Sequence, residues 1–183
     1  MRFINSVRRV RMDDRKKAIL AEIPRLRRYA RGLARDQDRA DDLVQDTLER
    51  ALIKLDNWRT EESPRRWLFT ITYHLFIDQV RRTSHRAEHE MLPLDSSEAV
   101  GVPAVQLDSV AALDIMDALQ AIAPERRAAL LIVGVEGFSY AEAATILGIP
   151  AGTLMSRISR GREDLRARLD DTDRRRNIRV VER

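Results

Sequence analysis

No stretch limits the fold of this chain more than residues 137–160. Ser139 is placed to cap a short helix, with Glu142 three residues on to complete a capping box. Ala143, Ala144 and Leu147 provide small and apolar packing positions, and Gly148 supplies the backbone freedom that a tight turn between helices needs. Pro150 suits the first turn of a second helix, where its missing N–H matters least. That helix turns Leu154, Ile158 and Leu165 inward, while Thr153, Ser156, Arg157 and Arg160 fall at helical spacing on the other side. The pattern is a helix-turn-helix. Short donors followed by arginines are what reading base edges and gripping phosphates require. The plainer alternative is a helical hairpin with a solvated basic face. The coincidence of small residues, turn glycine and donor face favours DNA.

A length of 183 residues allows one ordinary domain or two small ones. Apolar residues at 44% suffice for real cores, and the scarcity of Gly (7) and Pro (6) favours an all-helical chain. The net charge is only +4, so the distribution of charge must carry the argument. With no cysteine, a disulfide scaffold and a thiolate metal site are both excluded, and a reducing cytoplasm fits. No apolar run approaches membrane-spanning length. Residues 1–12 are basic without the apolar segment of a secretory signal. They read as a loose basic arm, or as a leader ahead of a start at Met12.

Asp13 and Asp14 open a helical pattern towards Ala34, with Ile19, Leu20, Ile23, Leu26, Ala30 and Leu33 apolar. Pro24 is expected to divide it into two pieces. The next helix is the most regular: Ala40, Leu43, Val44, Thr47, Leu48, Ala51, Leu52 and Leu55 repeat at spacings of three and four. Its other face carries Asp41, Asp42, Gln45, Asp46, Glu49 and Arg50, either merely solvated or a partner surface. A polar loop over 57–63 follows. Pro64 then opens a third helix, Arg65 to about Arg82, in which Arg66, Thr70, His74, Asp78 and Arg82 form one polar strip. Trp67, Leu68, Ile71, Leu75 and Phe76 are core candidates, although aromatics beside a basic strip also suit stacking on unpaired bases. The pattern fails over 86–109, a linker made acidic by Glu88, Glu90, Asp95, Glu98 and Asp108. Helices resume at Val110 and Pro124 and lead into the helix-turn-helix, whose second helix is expected to reach about Leu169 before a frayed charged tail.

No catalytic constellation is found: there is no glycine-rich phosphate loop and no serine backed by histidine. His85 and His89 stand one helical turn apart beside Glu88 and Glu90, but a third metal ligand is missing. The chain is therefore read as a non-enzyme without cofactor or metal.

Two small helical domains, an acidic linker and a C-terminal helix-turn-helix resemble the extracytoplasmic-function sigma factors of bacterial RNA polymerase. The resemblance runs from Ile19 to Leu169. The run from Asp41 to Ala51 looks like the family's core-polymerase-binding helix; Arg66 to Ile71 and Asp78 to Arg82 look like its −10-element helix; Ser139 to Arg157 looks like its −35-reading module. The style of the motifs is also similar to a general-stress subgroup of alphaproteobacteria and their relatives.

The resemblance implies an all-α protein: a region 2 domain over 13–85, the linker over 86–109, a region 4 domain over 110–170, and a tail over 171–183. It implies core RNA polymerase, promoter DNA and an anti-sigma factor as partners, in the cytoplasm and without membrane insertion. Core binding falls to Asp41, Asp42, Gln45, Asp46 and Glu49. The −10 element falls to Arg65, Arg66, Trp67, Thr70, His74, Asp78, Arg81 and Arg82, with the 57–63 loop helping to hold melted strand. The −35 element falls to Thr153, Met155, Ser156, Arg157 and Arg160. The family usually has Asn at His74, often a basic residue at Met155, and Ala at Gly161. The first two departures bear on promoter preference. By propensity alone, Gly161 loosens its helix by up to ~1 kcal/mol relative to Ala.

A stand-alone helix-turn-helix regulator leaves the acidic face and the Arg/aromatic helix without a role. A DNA-modifying enzyme needs a reactive cluster that the chain lacks, and a sigma-like decoy usually carries a further signalling domain.

Overall fold

The computed structural model describes residues 2–55, 58, 63–89 and 110–181. It consists of α1 (Arg2–Leu33), α2 (Gln37–Ile53), α3 (Pro64–His89), α4 (Val110–Gln120), α5 (Pro124–Gly134), α6 (Tyr140–Leu147) and α7 (Ala151–Val181). No strand occurs among the described residues, and none of these helices is long and apolar enough to cross a membrane.

Three helices make the first group. Asp36 caps α2, its carboxylate accepting from the Arg39 amide at 2.8 Å. The α2 stripe of Ala40, Leu43, Val44, Thr47 and Ala51 is buried against α1 and α3. Inside this packing the Thr47 and Thr72 hydroxyls lie 3.2 Å apart. Each bonds to its own helix, at the carbonyls of Leu43 (2.7 Å) and Leu68 (2.9 Å), so neither polar group is buried unsatisfied.

Four expectations about helix limits are corrected. Pro24 does not divide α1, which runs unbroken across it. Pro24 and Leu20 are both exposed, so water is at hand for the carbonyl that proline leaves without a donor. Residues 2–12 are helical, not a loose arm. The last helix continues past Leu169 to Val181, and α3 past Arg82 to His89. The linker's remaining positions, 90–109, lie outside the described residues, as do most of 57–63. Trp58, counted in that polar loop, is buried in the core at 5% exposure.

The second group, α4 to α7, does not stand apart from the first. One apolar cluster runs from Ile19 through Leu68 and Phe76 to Ile132, Leu147 and Ile158. Two glycines permit the close approach of helices. A Cβ on Gly32 of α1 would meet Leu131 Cδ1 of α5 at 2.7 Å, and one on Gly161 of α7 would meet Leu130 Cδ1 at 2.9 Å. Gly161 therefore does more than weaken α7: its bare backbone is what lets α5 lie against it.

Polar bonds complete the junction. The Gln120 amide donates to the carbonyls of Gly32 (3.2 Å) and Ala34 (2.5 Å), satisfying groups that the end of α1 leaves open. Arg127, itself buried, donates to the Gln120 carbonyl at 3.2 Å and to its side-chain oxygen, and lies over the Phe76 ring. Burial first, and then the charge of Arg35, push the Arg127 guanidinium down to about 10.

Candidate nucleic-acid interface

The acidic face of α2 forms as the residue pattern requires. Asp41, Asp42, Gln45, Asp46 and Glu49 are all exposed, opposite the buried stripe. Gln45 donates to Glu49 at 3.2 Å, and the Gln79 amide of α3 stands 3.5 Å from Asp46. The face is a band of carboxylates open to a basic or donor-rich partner.

Along α3 the polar strip divides in two. His74, Asp78, Arg81 and Arg82 are exposed, whereas Arg65, Arg66, Trp67 and Thr70 are half-buried. Trp67 stacks on Trp58 with ring centroids 5.6 Å apart and planes 10° apart, one face committed to the core edge. The Thr70 hydroxyl donates to the Arg66 carbonyl at 2.9 Å. Arg65 turns inward: its guanidinium lies 4.3 Å from the Phe138 ring centre, donates to the Glu136 carbonyl, and approaches the Glu136 carboxylate at 3.6 Å.

The helix-turn-helix is built by the residues that predicted it. Ser139 Oγ accepts from the Glu142 amide while Glu142 accepts from the Ser139 amide at 2.9 Å and from its hydroxyl at 2.7 Å. These bonds, the hydroxyl's first, hold the Glu142 carboxyl below its ordinary range, with Arg66 and Arg65 adding to the effect. Gly148 ends α6 at φ 62°, a left-handed conformation that a side chain would strain. Pro150 stands one position before α7 and its carbonyl accepts the first helical bond, from Leu154. On α7, Leu154 and Ile158 are buried and Thr153, Met155, Ser156 and Arg160 are exposed. Arg157 is half-buried and reaches across to α3, its guanidinium 3.5 Å from the Tyr73 hydroxyl.

Two sets of candidate residues, read separately in the sequence, are thus brought together at Arg157–Tyr73 and at Arg65–Glu136–Phe138. The α2 face stays clear of both. Sequence reasoning missed the groups that make this junction. Glu136 is buried and bound by Arg28 and Arg65; Phe138 meets Phe69 edge-on at 5.1 Å. The available signal was local: an acid between Gly134 and Gly137, in an otherwise apolar approach to the helix-turn-helix. Nothing local names its partners.

Comparison with known proteins accords with this division. Residues 19–73 match the family model "Sigma2 domain of PhyR", and residues 112–165 match "Sigma-70, region 4". The chain is 39% identical over 160 residues to the ECF RNA polymerase sigma factor EcfG of Rhodopseudomonas palustris, covering 86% of each. It is 38% identical over 148 residues to the ECF RNA polymerase sigma factor SigE of Mycolicibacterium smegmatis, covering 78% of this chain and 56% of that one. Among solved structures it resembles the sigma factor RpoE of Bartonella quintana, crystallised in complex with the anti-sigma factor NepR. The TM-score is 0.74 at 35% identity, over 86% of this chain and 97% of that one.

Proposed function

The chain belongs to the extracytoplasmic-function sigma factors, which direct RNA polymerase to promoters, and on that premise we propose how its surfaces divide the work. The region 2 unit is 13–85 and the region 4 unit 110–170. The exposed α2 face of Asp41, Asp42, Gln45, Asp46 and Glu49 docks on core polymerase. The α3 residues Arg65, Arg66, Trp67, Thr70, His74, Asp78, Arg81 and Arg82 handle the −10 element, the arginines at phosphates and Trp67 beside an unstacked base. Thr153, Met155, Ser156, Arg157 and Arg160 enter the −35 major groove. The protein acts in the cytoplasm with the polymerase and catalyses no reaction of its own.

One observation carries the regulatory half of the reading. Arg157, assigned to −35 DNA, reaches Tyr73 on the −10 helix at 3.5 Å, and Arg65, assigned to −10 DNA, is held by Glu136 and Phe138 of the other group. Each set of DNA residues thus has one member drawn towards the opposite group. Promoter binding therefore requires the two groups to separate, and an anti-sigma factor that grips both would favour the closed arrangement by mass action.

The test is to add the purified protein to core RNA polymerase and transcribe a library of random promoter fragments. The expected result is a stable complex that initiates from a defined subset. Failure to bind core overturns the sigma reading; sequence-specific DNA binding without core would point to a stand-alone regulator.

A further inference from the structure

Met155 is out of character with its neighbours. Along residues 151–172 of α7 it is the one large apolar side chain left exposed, at 56%. It stands on the outer side of the helix, between Thr153 and Ser156, in the turn that the proposed function puts into the major groove. It also edges a shallow groove of about 270 Å³ with Tyr140, Ile158, Ser159, Arg162, Glu163 and Arg166, two arginines against one acid. Tyr140 opens α6, so the groove joins the start of α6 to the side of α7 from Met155 to Arg166.

Two of the hydroxyls near Met155, those of Ser156 and Ser159, are already engaged. Ser156 donates to the Thr153 carbonyl at 2.9 Å, and Ser159 donates to Glu163 at 3.1 Å. Met155 itself has no donor, and its thioether is a weak acceptor. It is therefore unsuited to the polar edge of guanine, which basic side chains read through O6 and N7. The major groove offers one apolar group, the C5-methyl of thymine. A flexible, polarizable thioether chain fits that group well. Arg162 and Arg166 along the same groove supply the positive charge that keeps a DNA strand close.

We propose that Met155 is a specificity-determining residue that packs against the methyl of one thymine in the −35 element, so that this sigma factor prefers a T·A pair there. The inference rests on the assignment of α7 to −35 DNA.

The test uses the full chain bound to core polymerase and a promoter recovered from the random library. Each −35 thymine, on either strand, is replaced singly by deoxyuridine, which removes only the methyl. Wild-type complex is expected to lose about fourfold in promoter affinity at one position, the equivalent of one methyl returned to water. Met155→Ala is expected to bind thymine and deoxyuridine templates equally there, Met155→Leu to keep the discrimination, and Met155→Arg to shift preference towards G·C. If no thymine separates wild type from Met155→Ala while −35-dependent initiation persists, the methyl contact is overturned and the sigma reading stands. If the complex shows no −35 dependence at all, the assignment of α7 falls as well.

Discussion

Arg28 of α1 and Glu136, 108 positions apart, form a two-pronged ion pair: Nε and one terminal nitrogen of the guanidinium donate to the two carboxylate oxygens at 2.8 and 3.0 Å. The Glu136 side chain is wholly buried, whereas that of Arg28 is about half exposed. Arg65 closes on the same carboxylate from α3. One acid thus takes two basic residues of the first helical group and ties them to the approach to the helix-turn-helix. The pairing holds Arg28 more firmly protonated than a free arginine, through its bond to Glu136 and then through their mutual charge.

Replacing Glu136 by Ala is expected to loosen the two groups. Bonds to charged groups contribute roughly 1.5–3 kcal/mol, and solvent at Arg28 argues for the lower end. Small-angle scattering of the free protein should give a larger radius of gyration than wild type. Anti-sigma binding should weaken and core binding should not. An unchanged radius with unchanged stability would show that Glu136 is not the clasp.

Arg157 has two candidate roles, which separate cleanly. Its 3.5 Å approach to Tyr73 is long for a hydrogen bond, so Arg157→Ala is expected to alter stability by no more than about 0.5 kcal/mol. Initiation at −35-dependent promoters should nevertheless fall steeply. Tyr73→Phe removes only the junction contact. If it reproduces the promoter defect, Arg157 acts through the junction and not on DNA.

The double substitution of Asp42 and Asp46 by Asn keeps size and removes charge from two exposed positions. The melting temperature is expected to stay near wild type, as for surface changes generally. Core binding, measured by gel filtration with polymerase, should be lost. Normal assembly would move the docking surface off α2.

Gly32 tests how tightly α1 and α5 meet. Its substitution by Ala gains helix propensity of up to ~1 kcal/mol but drives a methyl into both Leu131 methyl groups, at 2.7 and 2.9 Å. Overpacking of this kind costs typically about 1–3 kcal/mol, so the net change should be destabilising. Adding Leu131→Ala should recover part of the loss. Stabilisation by Gly32→Ala alone would mean that α5 moves away freely.

The capping box gives a pH signature. The Glu142 carboxyl is held below its ordinary range by the Ser139 hydroxyl and amide. Its contribution is therefore present above the ordinary carboxylate range and is lost as pH falls through the lowered value. Glu142→Gln should melt below wild type at neutral pH, and the difference should vanish in strong acid. A difference that persists in acid would locate the effect elsewhere.

Much of the helical plan was legible because it is local. The capping box at Ser139 and Glu142, the left-handed Gly148, and the α2 stripe depend on residues within a few positions of each other. The errors arose where a local rule met a compensating surround. Pro24 is tolerated because its side of α1 faces water, and Trp58 is core because Trp67 stacks on it. The composition of the candidate surfaces was legible too, since exposed donors and acids follow helical period.

What the sequence by itself determined was therefore the set of helices, their buried faces and the chemistry of each outer face. All of these rest on hydrogen bonds and periodicity that span one or two turns. The tertiary structure alone decided how the two groups sit against each other. Arg65, given to the −10 element by the resemblance, is engaged by Glu136 and Phe138; Arg157, read as part of an outer donor face, reaches Tyr73. Those pairings join positions 71 to 84 residues apart, across a junction where Gly32 lets α1 and α5 approach. No periodicity encodes a partner at that distance: the match is one of shape and charge between surfaces that exist only once each helix has folded and packed.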